Sequence, residues 1–192
     1  MVEICKINKK SAGIKDGIIV LIKNNIKNQF KKRQVIQKVR GLSLEWKVQG
    51  TPTWLHLIYG VAGNNKLLFW EEFIKSLNKT CAHILIGDLN IIPDDIDVWH
   101  ADPNTTTKNK KASAKVMDLF QDVNLVDMFR EIHGDSKEYS FIRQTKENTI
   151  DYKSRIDLCK ATDIIKHTFA NVEYLEMVDF APDHCSILSA PS

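Results

Sequence analysis

Between Trp54 and Ile86 the apolar pattern changes period twice, and this alternation restricts the architecture more than any other feature of the chain. Trp54 to Tyr59 reads as a strand. From Asn65 the residues Leu68, Phe69, Phe73, Ile74 and Leu77 recur at spacings of three and four, which predicts an amphipathic helix of about four turns. His83 to Ile86 then returns to a strand. Upstream, Leu42, Leu44 and Trp46 alternate with polar residues, and Gly50-Thr51-Pro52 carries a turn signal, so residues 42 to 59 predict an antiparallel hairpin. Gly17 to Ile22 is a β-branched apolar run suited to a buried strand. A second helix is expected from about Ser113, with Val116, Leu119, Phe120 and Val123 on one face. Short strands are expected at Tyr139 to Ile142, Arg155 to Cys159, Val172 to Met177 and Cys185 to Leu188.

Strands that neighbour strands, interrupted by two helices, predict an α+β fold around a mainly antiparallel or mixed sheet and argue against a doubly wound parallel one. Neither GxGxxG nor GxxxxGK[ST] occurs, which demotes nucleotide-cofactor enzymes. No linker or repeat divides the 192 residues, so 1-192 is expected to be a single domain with a core of its own. The longest apolar run, Ile18 to Ile22, is far short of a membrane span, and Lys6, Lys9 and Lys10 interrupt the place of a signal peptide. No membrane association is therefore expected. Cys5, Cys81, Cys159 and Cys185 lie far apart with no CxxC pair, and are expected to be reduced core thiols of an intracellular protein. No protein partner is evident.

Charge is unevenly spread. Residues 1 to 40 carry 11 Lys and Arg against Glu3 and Asp16, whereas the rest of the chain is acidic, and the whole sums to +3. A basic segment on an acidic body suits a polyanion whose reactive phosphate meets a carboxylate-rich, cation-holding site. On charge alone, a solvated face of lysines is the simpler account. The polar stretch Asp94 to Lys111 has no period and is long for a connector, so a functional loop is expected there. Its Lys108, Lys110 and Lys111, with Lys115, are expected to touch backbone phosphates.

The sharpest local signal is His83-Ile84-Leu85-Ile86-Gly87-Asp88-Leu89-Asn90, an apolar strand that ends in Gly-Asp-x-Asn. Polar groups at the end of a buried strand sit on a rigid base, and the glycine admits a close backbone or ligand. An Asp-x-Asn turn capping the strand is an equally ordinary structure. Asp157 in Ser154-Arg155-Ile156-Asp157 and the pair Asp183-His184 carry little alone. An ion pair with a nearby Lys or Arg accounts for Asp157 as well.

Their order is more telling. Tyr59 at a strand end, then Gly87-Asp88-Leu89-Asn90, then Ser154-Arg155-Ile156-Asp157, then Asp183-His184 resembles the endonuclease/exonuclease/phosphatase superfamily. The stretch Gly87 to Asp97 resembles the apurinic/apyrimidinic endonucleases, as do Leu125 to His133 and Glu138-Tyr139-Ser140-Phe141. The same landmarks resemble the endonuclease domains of non-LTR (LINE-type) retrotransposons, whose Ser-Arg-Ile-Asp version stands here. The resemblance implies part of a four-layer α/β sandwich lacking its first strands, because the family's Asn strand and Gln-Glu strand have no match upstream of Gly17, and Glu3 is not assigned the metal-binding role. Tyr59 is followed by Gly60-Val61-Ala62-Gly63 where the family continues toward Pro and Asn, and Pro182 stands where Ser precedes Asp-His.

The resemblance implies Mg2+-dependent hydrolysis of a DNA phosphodiester, with Mn2+ as a substitute. His184 is expected to contact the scissile phosphate and Asp157 to hold its imidazole. Asp183 is the expected metal ligand, Asp88 orients or deprotonates the attacking water, Asn90 positions water and phosphate, and Tyr59 donates to a phosphate oxygen. Asp97 is a weaker candidate on the leaving-group side. DNA is the expected partner, and a retrotransposon origin implies a nuclear site of action. With the upstream Glu unmatched, activity is expected to be weak or absent in this chain. The alternatives are a non-catalytic mobile-element remnant and a phosphatase or phosphodiesterase acting on phosphoinositide or sphingolipid substrates.

Overall fold

The computed structural model describes residues 2–6, 19–23, 27–30, 33–36, 40–105, 110–176 and 183–191. In chain order the strands and helices are β1 (Val2–Lys6), β2 (Ile19–Lys23), β3 (Arg33–Ile36), β4 (Gly41–Val48), β5 (Thr51–Ile58), α1 (Lys66–Ser76), β6 (Ala82–Asp88), β7 (Val98–His100), α2 (Lys110–Asp122), β8 (Leu125–Asp127), α3 (Met128–His133), β9 (Phe141–Gln144), β10 (Ile150–Ser154), β11 (Asp157–Thr162), β12 (Phe169–Glu176) and β13 (Cys185–Pro191). A six-stranded sheet in the order β3-β4-β5-β6-β11-β8 is the platform for everything else. Its β5–β6 pair is parallel and its other pairs are antiparallel, so the sheet is mixed. Helix α1 is the crossover that a parallel pair requires. Three smaller groups, β1-β2, β7-β10-β9 and β12-β13, complete the strand pairing.

Alternation along the central strands decides what covers each face. Leu85 of β6 and Leu158 of β11 pack with Phe69, Trp70 and Phe73 of α1 and Val116 and Phe120 of α2. Their neighbours Ile84, Cys159 and Ala161 pack on the other face with Met128 and Phe129 of α3 and Val172 of β12. The sheet thus lies between an α1–α2 layer and a layer made by α3 and β12. A strand buried on both faces cannot alternate apolar with polar, which explains the continuous run His83 to Ile86. Each fully buried Leu, Ile or Phe contributes about 1.5–3 kcal/mol, and Trp70 sits edge-on to Phe69, Phe73 and Phe120 at its centre.

The expected α+β class is what folds, and several local expectations shift. The hairpin turns one step earlier than Gly50-Thr51-Pro52: Gln49 and Gly50 both take positive φ, as a two-residue turn matched to strand twist requires, and Pro52 lies within β5 opposite Lys47. Helix α1 is shorter than four turns, with Leu77 already extended, and Leu68 is 57% exposed rather than packed. The polar stretch from Asp94 is not a loop throughout, since Val98–His100 forms β7 against β10. Strands β1 and β10 were not expected, nor was the short helix α3. Cys159 is buried, but Cys81 and Cys185 are only half-buried and so are not core thiols. Gly17, Ile18, Lys108, Met177 and Pro182 lie outside the described residues, and no described helix is long and apolar enough to cross a membrane.

A buried polar line crosses three strands on the α1 side. Ser43 Oγ lies 2.7 Å from His56 Nδ1, His56 Nε2 lies 2.9 Å from His83 Nδ1, and His83 Nε2 lies 3.0 Å from the Asn78 carbonyl. The carbonyl only accepts, so His83 Nε2–H donates to it, His56 Nε2–H donates to His83, and Ser43 donates to His56. Both rings are neutral in this arrangement. Burial is the main cause that pushes the His56 pKa down to about 3, with His83 adding to it, and His83 is itself lowered. An unfolded histidine takes a proton near pH 6.5, so the unfolded chain binds more protons between about pH 6.5 and 3 and stability falls as pH falls through that window. Urea unfolding at pH 7.5 and pH 4.5 is expected to show a loss of several kcal/mol, and His56→Leu is expected to flatten that dependence. An unchanged slope in the variant would remove His56 as its source.

Candidate functional site

Strand β6 ends at Asp88, and the chain leaves it through Leu89 and Asn90. Asn90 holds φ at +54°, a left-handed conformation that asparagine tolerates. Its backbone N–H donates to Asp88 Oδ1 at 2.9 Å, and its Nδ2 donates to Asp88 Oδ2 and to the Gly60 carbonyl, both at 3.1 Å. Those two acceptors consume both amide hydrogens. Asn90 therefore offers its Oδ1 as an acceptor for an incoming water, which is narrower than the expected role of holding water and phosphate together.

Two glycines make this close packing possible. At Gly87 φ is +134°, and a Cβ there would lie 2.3 Å from the Ile58 carbonyl oxygen. At Gly60 a Cβ would lie 2.2 Å from the Leu89 carbonyl oxygen, and the Gly60 N–H donates to the Asp88 carbonyl at 2.7 Å. The end of β5, with Tyr59, is thus pinned backbone to backbone against the Asp88–Asn90 turn.

Asp157 arrives on β11 as the register partner of Asp88. Ser140, fully buried, fixes that strand start: its hydroxyl oxygen accepts from the Ile156 and Asp157 N–H groups at 3.0 and 2.9 Å. The same segment receives the chain end, with Cys185 N–H on the Ser140 carbonyl, Ile142 N–H on the Asp183 carbonyl, and His184 bridged to Phe141. His184 Nδ1 then stands 2.9 Å from Asp157 Oδ2. Nε2 is the ring nitrogen left for a ligand.

Electrostatics follow from these positions. Burial, and then the facing Asp157 carboxylate, push the Asp88 pKa up to about 6, while hydrogen bonds from Asn90 and the charge of His184 pull it back. The hydrogen bond to Asp157 raises the His184 pKa above the usual imidazole value. A carboxylate pushed up to about 6 facing a strand partner that holds an imidazole in its charged form suits proton movement.

The structure brings together Asp88, Asn90, Asp157 and His184, although 96 positions separate the first from the last. Asp183 is exposed beside them, next to His184 in the chain. Tyr59 is 42% exposed, with the Arg40 guanidinium 5.4 Å from its ring centroid. Asp97 is elsewhere. It is fully buried between the guanidinium groups of Arg155 and Arg130, which corrects its placement on the leaving-group side. Lys110 is 2.7 Å from Asp95, so its charge is partly answered within the chain. Reading by residue missed Ser140 as the clamp, because a serine in a polar-aromatic stretch carries no periodic signal.

No sequence-family model matches the chain, and no curated protein matches it in sequence. Solved structures do. An AP endonuclease from Archaeoglobus fulgidus superposes with a TM-score of 0.63 at 18% identity, covering 84% of this chain and 71% of that one. The chain shares its fold with this structure. The AP endonuclease LMAP from Leishmania major gives 0.63 at 16% identity, covering 80% of this chain and 55% of that one. The 3′ phosphatase NExo from Neisseria, bound to a product DNA hairpin, gives 0.60 at 16% identity, covering 81% of this chain and 65% of that one. This chain therefore spans between about half and about seven-tenths of the length of these structures.

Proposed function

We propose that the chain hydrolyses phosphodiesters of DNA, weakly on its own, with a divalent cation, Mg2+ or Mn2+. The observation that carries the reading is the Asp157–His184 pair facing Asp88 and Asn90 across one strand pair, on a fold shared with DNA-processing phosphoesterases. Asp88, with a pKa near 6, takes the proton of an attacking water that donates to Asn90 Oδ1. His184, held through Nδ1 by Asp157, donates from Nε2 to a phosphate oxygen as charge builds there. Tyr59 immediately precedes Gly60, whose backbone is pinned to the Asp88–Asn90 turn, and its proposed role is to add a hydroxyl donor to a phosphate oxygen.

The donor chemistry fits a hard cation that keeps most of its waters. The exposed Asp183 carboxylate, joined by substrate oxygens, suits Mg2+, and among the described residues no cluster of three or more ligating side chains forms a closed cage. When bound, such an ion neutralises charge on the phosphoryl oxygens. Ser154-Arg155-Ile156-Asp157 favours a retrotransposon-type endonuclease over an abasic-site enzyme within this reading, and a nuclear site of action goes with it.

Nicking of supercoiled plasmid and cleavage of an abasic duplex, each with Mg2+, Mn2+ or EDTA, test the proposal. Cation-dependent cleavage is expected, and its rate should rise with pH through about 6 as Asp88 loses its proton, with the midpoint absent from whatever rate Asp88→Asn retains. Cleavage of neither DNA, with hydrolysis of a phosphoinositide or sphingolipid phosphoester instead, would overturn the DNA assignment.

A further inference from the structure

On the far part of β11 from Asp157, a cavity of about 510 Å3 opens between the end of α2, β8 and α3. Lys160 lines it and is 1% exposed. Its Nζ forms a long ion pair with Asp127 Oδ2, 3.8 Å away, and the Phe120 ring lies 5.3 Å off. Arg130 lines the same cavity, and its Nε is buried without a partner.

The carboxylates of that wall are already committed. Asp127 accepts from Arg155 Nη1 and Nη2, each at 3.0 Å, and from the Arg130 N–H. Asp97 is taken by Arg155 and Arg130. Glu131 and Asp163, at the rim, both hold Lys166, at 2.8 and 3.0 Å. The interior set is three cations, Arg155, Arg130 and Lys160, against two carboxylates, Asp97 and Asp127. Burial pulls the Lys160 ammonium below its usual pKa and Asp127 only partly offsets this, so an oxyanion in the cavity would add both an acceptor atom and the charge that favours the ammonium form.

We propose that this cavity is a binding site for a small oxyanion, whose oxygens accept from Lys160 Nζ and lie against the Arg130 guanidinium. The shared chemistry is that of a phosphate or a carboxylate. The site is separate from the proposed nuclease centre and does not depend on that reading.

Calorimetric titration of the full chain with sodium phosphate, and separately with sodium acetate, at ionic strength fixed by NaCl, tests it. The titrations are run in a His184→Ala background, so that phosphate held at the nuclease centre does not count. One saturable site is expected, stronger for whichever of the two anions the cavity prefers. Lys160→Met should weaken it at least roughly tenfold, the loss of one charged hydrogen bond. Arg130→Gln, at a side chain 19% exposed and so the safer change for folding, should weaken it severalfold. Equal affinity with and without Lys160 and Arg130, an anion bound only while His184 is intact, or no saturable binding of either anion would each overturn the proposal.

Discussion

His184→Ala is expected to lower single-turnover cleavage of DNA by about two to four orders of magnitude, the usual contribution of one well-placed acid–base group. The geometry sets this size. Nδ1 is engaged by Asp157 at 2.9 Å, so the ring cannot turn freely, and Nε2 is its only nitrogen open to a phosphate. Asp157→Asn keeps the shape but removes the charge that raises the His184 pKa, and it offers an amide that can donate where the carboxylate accepted. Its loss should therefore approach that of His184→Ala, and the double variant should cost little more than either alone, since the two residues act as one unit. Rates of the three variants on one oligonucleotide are the measurement. Cleavage by His184→Ala within tenfold of the parent chain would remove the pair from the chemistry.

The largest expected effect on stability lies in a different set of charges. Arg155 and Asp97 are both 0% exposed, and Arg155 joins Asp97 and Asp127 through Nε at 2.7 Å and Nη atoms at 3.0 Å. Removing one partner strands the others in a medium that cannot hydrate them, which costs about 3–5 kcal/mol. Arg155→Met should show that loss in urea unfolding. Arg155→Lys should recover only part of it, because an ammonium cannot span two carboxylates as the planar fork does. Lys110→Ala, which breaks the exposed pair with Asp95, should change stability by less than about 1 kcal/mol. A loss below about 1 kcal/mol in Arg155→Met would mean that water reaches the network in solution.

Much of the candidate site was legible because its polar residues interrupt apolar strands. Asp88 and Asn90 follow His83 to Ile86 directly, and Asp157 opens a run that is apolar until Lys160. Asp97 was misread for the opposite reason. It stands among Asp94, Asp95 and other polar residues, while its partners, Arg130 and Arg155, come 33 and 58 positions later, and no local pattern reports a pairing at that range. The expected strand Arg155 to Cys159 stops short of Lys160, which lies within β11 and is buried. A lysine's charge gives no sign of which face of a strand it will share. Leu68 shows the converse, since spacings of three and four admit more apolar residues than one helix face can bury. Strand β10 was missed because Asp151 and Lys153 dilute its alternation, and its pairing with β7 and β9 is tertiary information.

The strand order also bears on how the chain leaves the ribosome. β6 pairs with β5 as soon as α1 has crossed over, but its other edge belongs to β11, and Asp157 is made 69 positions after Asp88. At ordinary synthesis rates that edge waits about 3 to 14 seconds, carrying Ile84, Leu85 and Ile86 on an open ladder. Substitutions in β11 that slow its insertion will therefore appear first as lost soluble yield in cells, before any change in the finished protein can be measured. Expression at lower temperature or with added chaperone should rescue them selectively.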